Sequence, residues 1–104
     1  MSVYLDNARI PAKVAGIVAR WSHLTADARA ELDAFAARLG LRAQWIQHPG
    51  SCLEHYDLTD SKRRLALRLG AIAITSGEAG HQVVAKRQGY RFDLAALRKS
   101  ADDR

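Results

Sequence analysis

Ser61-Lys62-Arg63-Arg64-Leu65-Ala66-Leu67-Arg68-Leu69-Gly70-Ala71-Ile72-Ala73-Ile74-Thr75 changes its period in the middle. Leu65, Ala66 and Leu69 recur at helical spacing, Gly70 supplies the left-handed residue that ends a helix, and Ala71 to Thr75 is an apolar run of the buried-strand type. The same punctuation occurs earlier in the chain. Leu32, Phe35, Ala36 and Leu39 run into Arg38-Leu39-Gly40, and Leu41 to Gln47, with Trp45 and Ile46, follows as a second strand. Val3-Tyr4-Leu5 is a first strand that stops at the turn pair Asp6-Asn7. The order is strand, helix, strand, helix, strand. Two consecutive crossovers of this kind predict an α/β fold: a small parallel, or mainly parallel, sheet with strands near Val3, Trp45 and Ile72 and right-handed crossover helices.

Outward from this frame, the first helix opens at Thr25-Ala26-Asp27, where Thr25 can cap and Asp27 suits the positive end of the helix dipole. The second opens at Thr59-Asp60-Ser61, and a third runs from about Glu78 to Gln88. Asp93 to Lys99 predicts a short tail helix with a thin apolar edge, Leu94 and Leu97. Pro11 excludes a regular helix before Lys13, and Lys13 to Trp21 reads as irregular or strand, since Val14, Ile17, Val18 and Trp21 fit a helix period while Gly16 and the β-branched content favour extension. Trp21 and Trp45 lie in apolar stretches and are expected in the core.

The whole of residues 1–104 fits one domain, with no linker and no low-complexity segment. Hydrophobic residues make up 48% and charged residues 26% of the chain, which excludes a disordered or collagen-like class. Cys52 stands alone, so no disulfide within the chain can form. No apolar run has membrane-spanning length and the start resembles no signal segment, so the expected compartment is the cytoplasm, without membrane association. The net charge is +5, and residues 60–104 carry all of it, with ten basic residues against five acidic ones. Such an asymmetry attracts anions, nucleic acid among them, although a solvated helix surface gives the same count.

In a parallel α/β sheet ligands gather where strands end and helices begin, because helix N-termini offer free N–H groups and positive dipole ends. That rule selects Asp6 and Arg9 after the first strand, Gln47 and His48 after the second, and His55-Tyr56-Asp57 before the second crossover helix, whose first turn holds Ser61, Lys62 and Arg63. Arginine forks onto phosphate or carboxylate and lysine adds a point charge, so Arg9, Gln47, Ser61, Lys62 and Arg63 are the candidate ligand-binding residues. His55, His23, Asp57 and Asp6 are the candidate catalytic residues, since imidazoles beside carboxylates suit general acid–base chemistry or a divalent cation. The spacing assigns no definite metal-ligand set and names no cofactor. His48, Cys52 and His55 also resemble half a zinc site, but a structural zinc needs a fourth ligand, which would have to come from Asp57 or from afar, and nothing marks Cys52 as an activated thiol.

Tyr4-Leu5-Asp6, Arg20-Trp21-Ser22-His23-Leu24, Ala26-Asp27, Glu31-Leu32, Phe35 to Arg42, Trp45 with Gln47, His55-Tyr56-Asp57, Ser61 to Leu67 and Gly70-Ala71-Ile72 together resemble a bacterial and bacteriophage family, domain of unknown function four-zero-three-one. The resemblance covers most of residues 3 to 76, and the His-Tyr-Asp plus Ser-Lys-Arg segment is its most specific part. It implies a site, not a reaction, because the family has no established activity; some members are joined to other domains, including phosphohydrolase-like ones. The chain departs from the pattern in the longer loop His48 to Glu54, which carries Cys52, and after Gln88.

Two functional expectations follow. One is a small nucleotide- or phosphoester-handling enzyme, with His55 or His23 moving protons and a phosphate-bearing small molecule as ligand. The other is a non-catalytic module whose basic second half contacts nucleic acid or an acidic protein.

Overall fold

The chain's longest strand is not one that the helix-glycine-strand pattern marks. The computed structural model describes residues 2–102, and in it Ile10–Val14 (β2) and Ile17–Ala26 (β3) form an antiparallel hairpin. The two residues between them, Ala15 and Gly16, both have positive φ, 50° and 82°. Two left-handed residues in a row make the tight turn whose twist matches that of paired strands. Alanine is strained in that first position, and Ala15→Asn should raise the stability to unfolding by about 0.5–1 kcal/mol, measured by urea titration.

β3 carries a partner on each edge. Val3–Leu5 (β1) pairs with Leu24 to Ala26, β2 with Ile17 to Trp21, and Tyr56–Thr59 (β4) with Trp21 to Leu24. Leu24 thus stands between Leu5 and Tyr56, and Trp21 between Ile10 and Thr59, so β1 and β2 lie end to end along one edge and β4 takes the other. Ile72–Ala73 (β5) adds to β1 in parallel.

The α/β class holds, but the sheet is mixed and mostly antiparallel, and only the β1–β5 pair follows the expected parallel crossover. With both edges of β3 filled by the hairpin and β4, Leu41 to Gln47 finds no seat in the sheet. Ala43–Trp45 forms a single 3-10 turn instead, and Trp45 is 48% exposed beneath the Arg42 guanidinium, which corrects its expected place in the core. Trp21 is buried, as expected, and its indole N–H donates to the Ala12 carbonyl.

The helices follow the sequence more closely. Arg29–Arg38 (α1) and Asp60–Arg68 (α2) both end at the Arg-Leu-Gly signature, where Gly40 and Gly70 have φ of 80° and 104° and the next N–H bonds back to Ala36 O and Ala66 O. These are Schellman closures. Thr25 caps nothing. It belongs to β3, opposite Tyr4, and α1 starts later, at Arg29. Ser76–Gln88 (α3) opens with a reciprocal capping box between Thr75 and Glu78, and Leu94–Asp102 (α4) is tied back by Arg98, which donates to Glu78 and to the Ala73 carbonyl.

Alternation along β3 divides its side chains between two faces. Leu24 and Ala26, with Leu5, Tyr56 and Leu58 from the neighbouring strands, pack against Leu32, Phe35, Ala36 and Leu39 and against Ala66 of α2. Trp21, His23 and Thr25 point to the opposite face. Among the described residues no helix is long and apolar enough to cross a membrane.

Candidate functional site

His23 sits in the middle of β3 on the face away from the main core, directly opposite Asp57 of β4. On its other side the Asp6 N–H donates to the His23 carbonyl, so Asp6, His23 and Asp57 form one row across three strands. His55 lies two residues before Asp57 and therefore on the same face. Its ring meets that of His23 edge-on at 4.8 Å, as diagonal neighbours on a sheet do. Its backbone closes the loop after the 3-10 turn by exchanging two hydrogen bonds with Gln47.

Asp6 occupies the break between β1 and β2, where Arg9 takes a positive φ of 45° and the ladder shifts register. With the regular pairing interrupted, the carboxylate replaces a backbone acceptor: Oδ1 accepts from the N–H groups of His23 at 2.9 Å and Ala8 at 3.2 Å. Oδ2 lies 2.6 Å from Nδ1 of His23. Burial pushes the Asp6 carboxyl up, but the bonds from the His23 ring and backbone outweigh it, and the group ends below its ordinary range. The bond to Asp6 raises the His23 imidazole above its ordinary value, against burial, with the charges of Asp6 and Asp57 adding to the rise.

These shifts fix a pH window. A raised imidazole contributes stability that is complete below its ordinary 6.5 and is lost as pH climbs through the raised value. A lowered carboxyl contributes above its ordinary 3.8 and loses that contribution as pH falls. In chelator-treated protein, the stability difference between the parent and Asp6→Ala should therefore peak between about pH 4 and 6.5 and shrink on either side, measured by denaturant titration across pH.

His55 is oriented differently. Its Nδ1 lies 2.7 Å from the Leu53 carbonyl, and its Nε2 lies 3.2 Å from Oδ1 of Asp57. The site opens into a cleft of about 260 Å³ between this face of the sheet and α3, walled by Asp6, His23, His48, His55 and Gln82, with Cys52 at its side. Gln82 is 2% exposed; its Oε1 accepts from the Thr25 hydroxyl, while its Nε2 is buried without a protein partner.

Asp6, His23, His55 and Asp57, expected as the catalytic group, are thus brought together. The expected anion binders are not. Arg9 forks onto Asp60 at the surface, Lys62 donates its Nζ to the Leu39 carbonyl at the end of α1, and neither they nor Ser61 and Arg63 line the cleft. The physical reason is that α2 turns away behind the core face after Thr59, whereas the parallel fold expected from the sequence would have pointed its first turn at the strand ends. Gln47 reaches the site only through its backbone. The His-Tyr-Asp segment is a strand edge and not a loop, which is why its alternate residues share a face.

The wall made by α3 is absent from the sequence reading. Gln82 stands three residues before the buried Ala85, so it holds a polar place in the helix's inward stripe, the one signal that could have found it. His48, Cys52 and His55 do line one cleft, but the described side chains whose ligating atoms lie within mutual reach are His23, His55 and Asp57, and Cys52 is not among them.

No curated protein and no solved structure shows a significant match to the chain. One family profile matches residues 3–86, which includes every strand, all four convergent His and Asp residues and α3 as far as Lys86, and so extends beyond the resemblance that ended at residue 76. On that match the chain belongs to the family described as Protein of unknown function (DUF4031).

Proposed function

We propose that this protein is a small enzyme acting on a phosphate-bearing ligand, with its active centre in the cleft at His23, His55 and Asp57. The observation that supports it best is that two imidazoles, His23 and His55, line an open cleft, with the Asp57 carboxylate against His55 and the buried Asp6 carboxylate holding His23 in place. Within this cluster Asp6 and His23 have proton affinities shifted by each other, a feature that recurs at sites of chemistry. Among the described residues no lysine or arginine lines the cleft. A ligand anion there would meet the raised imidazole of His23 and the unpaired Gln82 amide rather than an arginine fork. Of the basic residues, Arg9, Arg29, Arg98 and Lys62 are engaged with other groups of the chain.

The test is hydrolysis of bis(4-nitrophenyl) phosphate, 4-nitrophenyl phosphate and a set of nucleotides, followed by release of product. His23→Ala, His55→Ala and Asp57→Asn should each lower kcat/KM by about 100-fold or more, while His81→Ala, on the exposed side of α3, should leave it unchanged. Absence of turnover across that set, or full activity in His23→Ala, would overturn the reading.

A further inference from the structure

The hydrogen-bond partners of the two imidazoles determine which ring nitrogens are free. Asp6 is an ionised carboxylate and can only accept, so Nδ1 of His23, 2.6 Å away, carries the proton. The Leu53 carbonyl can only accept as well, so Nδ1 of His55 is also a donor. With Nδ1 donating in both rings, Nε2 is the nitrogen of each that is left to bind a cation. One ring nitrogen of His23, one of His55 and a carboxylate oxygen of Asp57 all lie within 4.8 Å of one another. His55 Nε2 faces Asp57 Oδ1 at 3.2 Å, a contact that a proton or a metal cation between the two atoms can bridge.

We infer that His23, His55 and Asp57 hold a divalent first-row transition cation through Nε2, Nε2 and a carboxylate oxygen. Ligating histidines characteristically donate the other ring N–H to a carboxylate or a backbone carbonyl, which fixes tautomer and ring angle. Both histidines here do so, each with one of those two acceptors. Bonds of about 2.0–2.2 Å place donors around one ion about 3–3.5 Å apart, so closing the set requires only a modest side-chain rotation. Two imidazoles and one carboxylate, with no thiolate, fit zinc, iron(II), cobalt(II) or manganese(II) better than magnesium or copper(I). Three protein ligands on one side leave the remaining positions open to the cleft, where the cation supplies the positive charge that the lining lacks. Asp6 is then a positioning residue, acting through His23.

The inference rests on the proposed function only for the location of the site. Untagged, chelator-stripped protein titrated with Co²⁺ and with Zn²⁺, followed by visible absorption and calorimetry, should bind one equivalent of cation. His23→Ala, His55→Ala and Asp57→Asn should each weaken binding by about 100-fold or more, Asp6→Asn by about 10–100-fold, and His81→Ala not at all. Melting curves in metal-free buffer identify any variant that fails to fold, and His55→Ala, whose ring is bonded only to its own loop and Asp57, carries the test if His23→Ala does. No binding below about 1 mM, or parent-like affinity in folded His55→Ala and Asp57→Asn, would overturn the inference. One bound cation without turnover of any phosphoester supports this inference and defeats the proposed function; turnover that persists unchanged in chelator does the reverse.

Discussion

Leu24→Ala should lower the free energy of unfolding by about 2–5 kcal/mol. Leu24 is 0% exposed and lies on the central strand with Leu5 on one side and Tyr56 on the other. Its side chain packs in the cluster formed with Leu32 and Phe35 of α1 and with Leu39 just beyond that helix's end. Strands paired on both edges leave little freedom for collapse around a cavity, which places the cost toward the upper part of that range. A loss of under about 1 kcal/mol in urea titration would mean that the sheet and α1 do not share one core. The nearby Leu53→Ala gives the contrast: Leu53 is 46% exposed, and its loss should change stability by no more than about 0.5 kcal/mol.

Asp6→Ala and Asp6→Asn should separate scaffold from chemistry at a single position. Alanine removes the acceptor for the His23 ring, the His23 N–H and the Ala8 N–H together, at an expected cost of about 2–4 kcal/mol. That range allows for the cleft side of His23, where its side chain is 34% exposed and water can take part of the load. Asparagine keeps the shape and can still accept the backbone N–H groups, so its stability loss should be about half as large or less. Its amide N–H₂, however, would face Nδ1 of His23 and turn that nitrogen into an acceptor, moving the ring proton to Nε2 and into the site. The asparagine variant should therefore fold nearly as well as the parent yet lose about 100-fold or more in kcat/KM, a wrong-tautomer defect. Nitrogen-detected NMR of the His23 ring checks the tautomer directly. Equal activity in parent and Asp6→Asn would show that Asp6 serves the fold alone.

The candidate centre was legible in composition and in local pairing, but not in geometry. His55 and Asp57 could be chosen together because they are two residues apart, and Asp6 because it follows a strand. The expected partners Lys62 and Arg63 failed for a reason no local signal carries: the helix that bears them packs on the core face, and Lys62 closes the end of α1. The hairpin escaped because its turn reads Ala15-Gly16 and lacks the asparagine or aspartate that announces two left-handed residues, and because Val14, Ile17, Val18 and Trp21 also satisfy a helix period. Trp45 was misplaced because apolar content alone cannot tell a strand with a partner from a turn without one.

By itself the sequence determined the helices and the C-terminal ends of α1 and α2, since left-handed termination depends on residues within one turn of each other, although α1 starts later than Thr25. It also placed Val3 and Ile72 in one parallel sheet, of which the β1–β5 pair is the part present. The tertiary structure alone decided that β3 is the central strand, because edge-to-edge pairing is a competition among distant segments in which the hairpin, joined by a two-residue turn, loses the least entropy on closing. It alone decided that Asp6, His23 and Asp57 share a row, since cross-strand register links positions that no sequence spacing connects. The direction of each imidazole's lone pair was settled by the acceptors that register placed behind it, the Asp6 carboxylate and the Leu53 carbonyl.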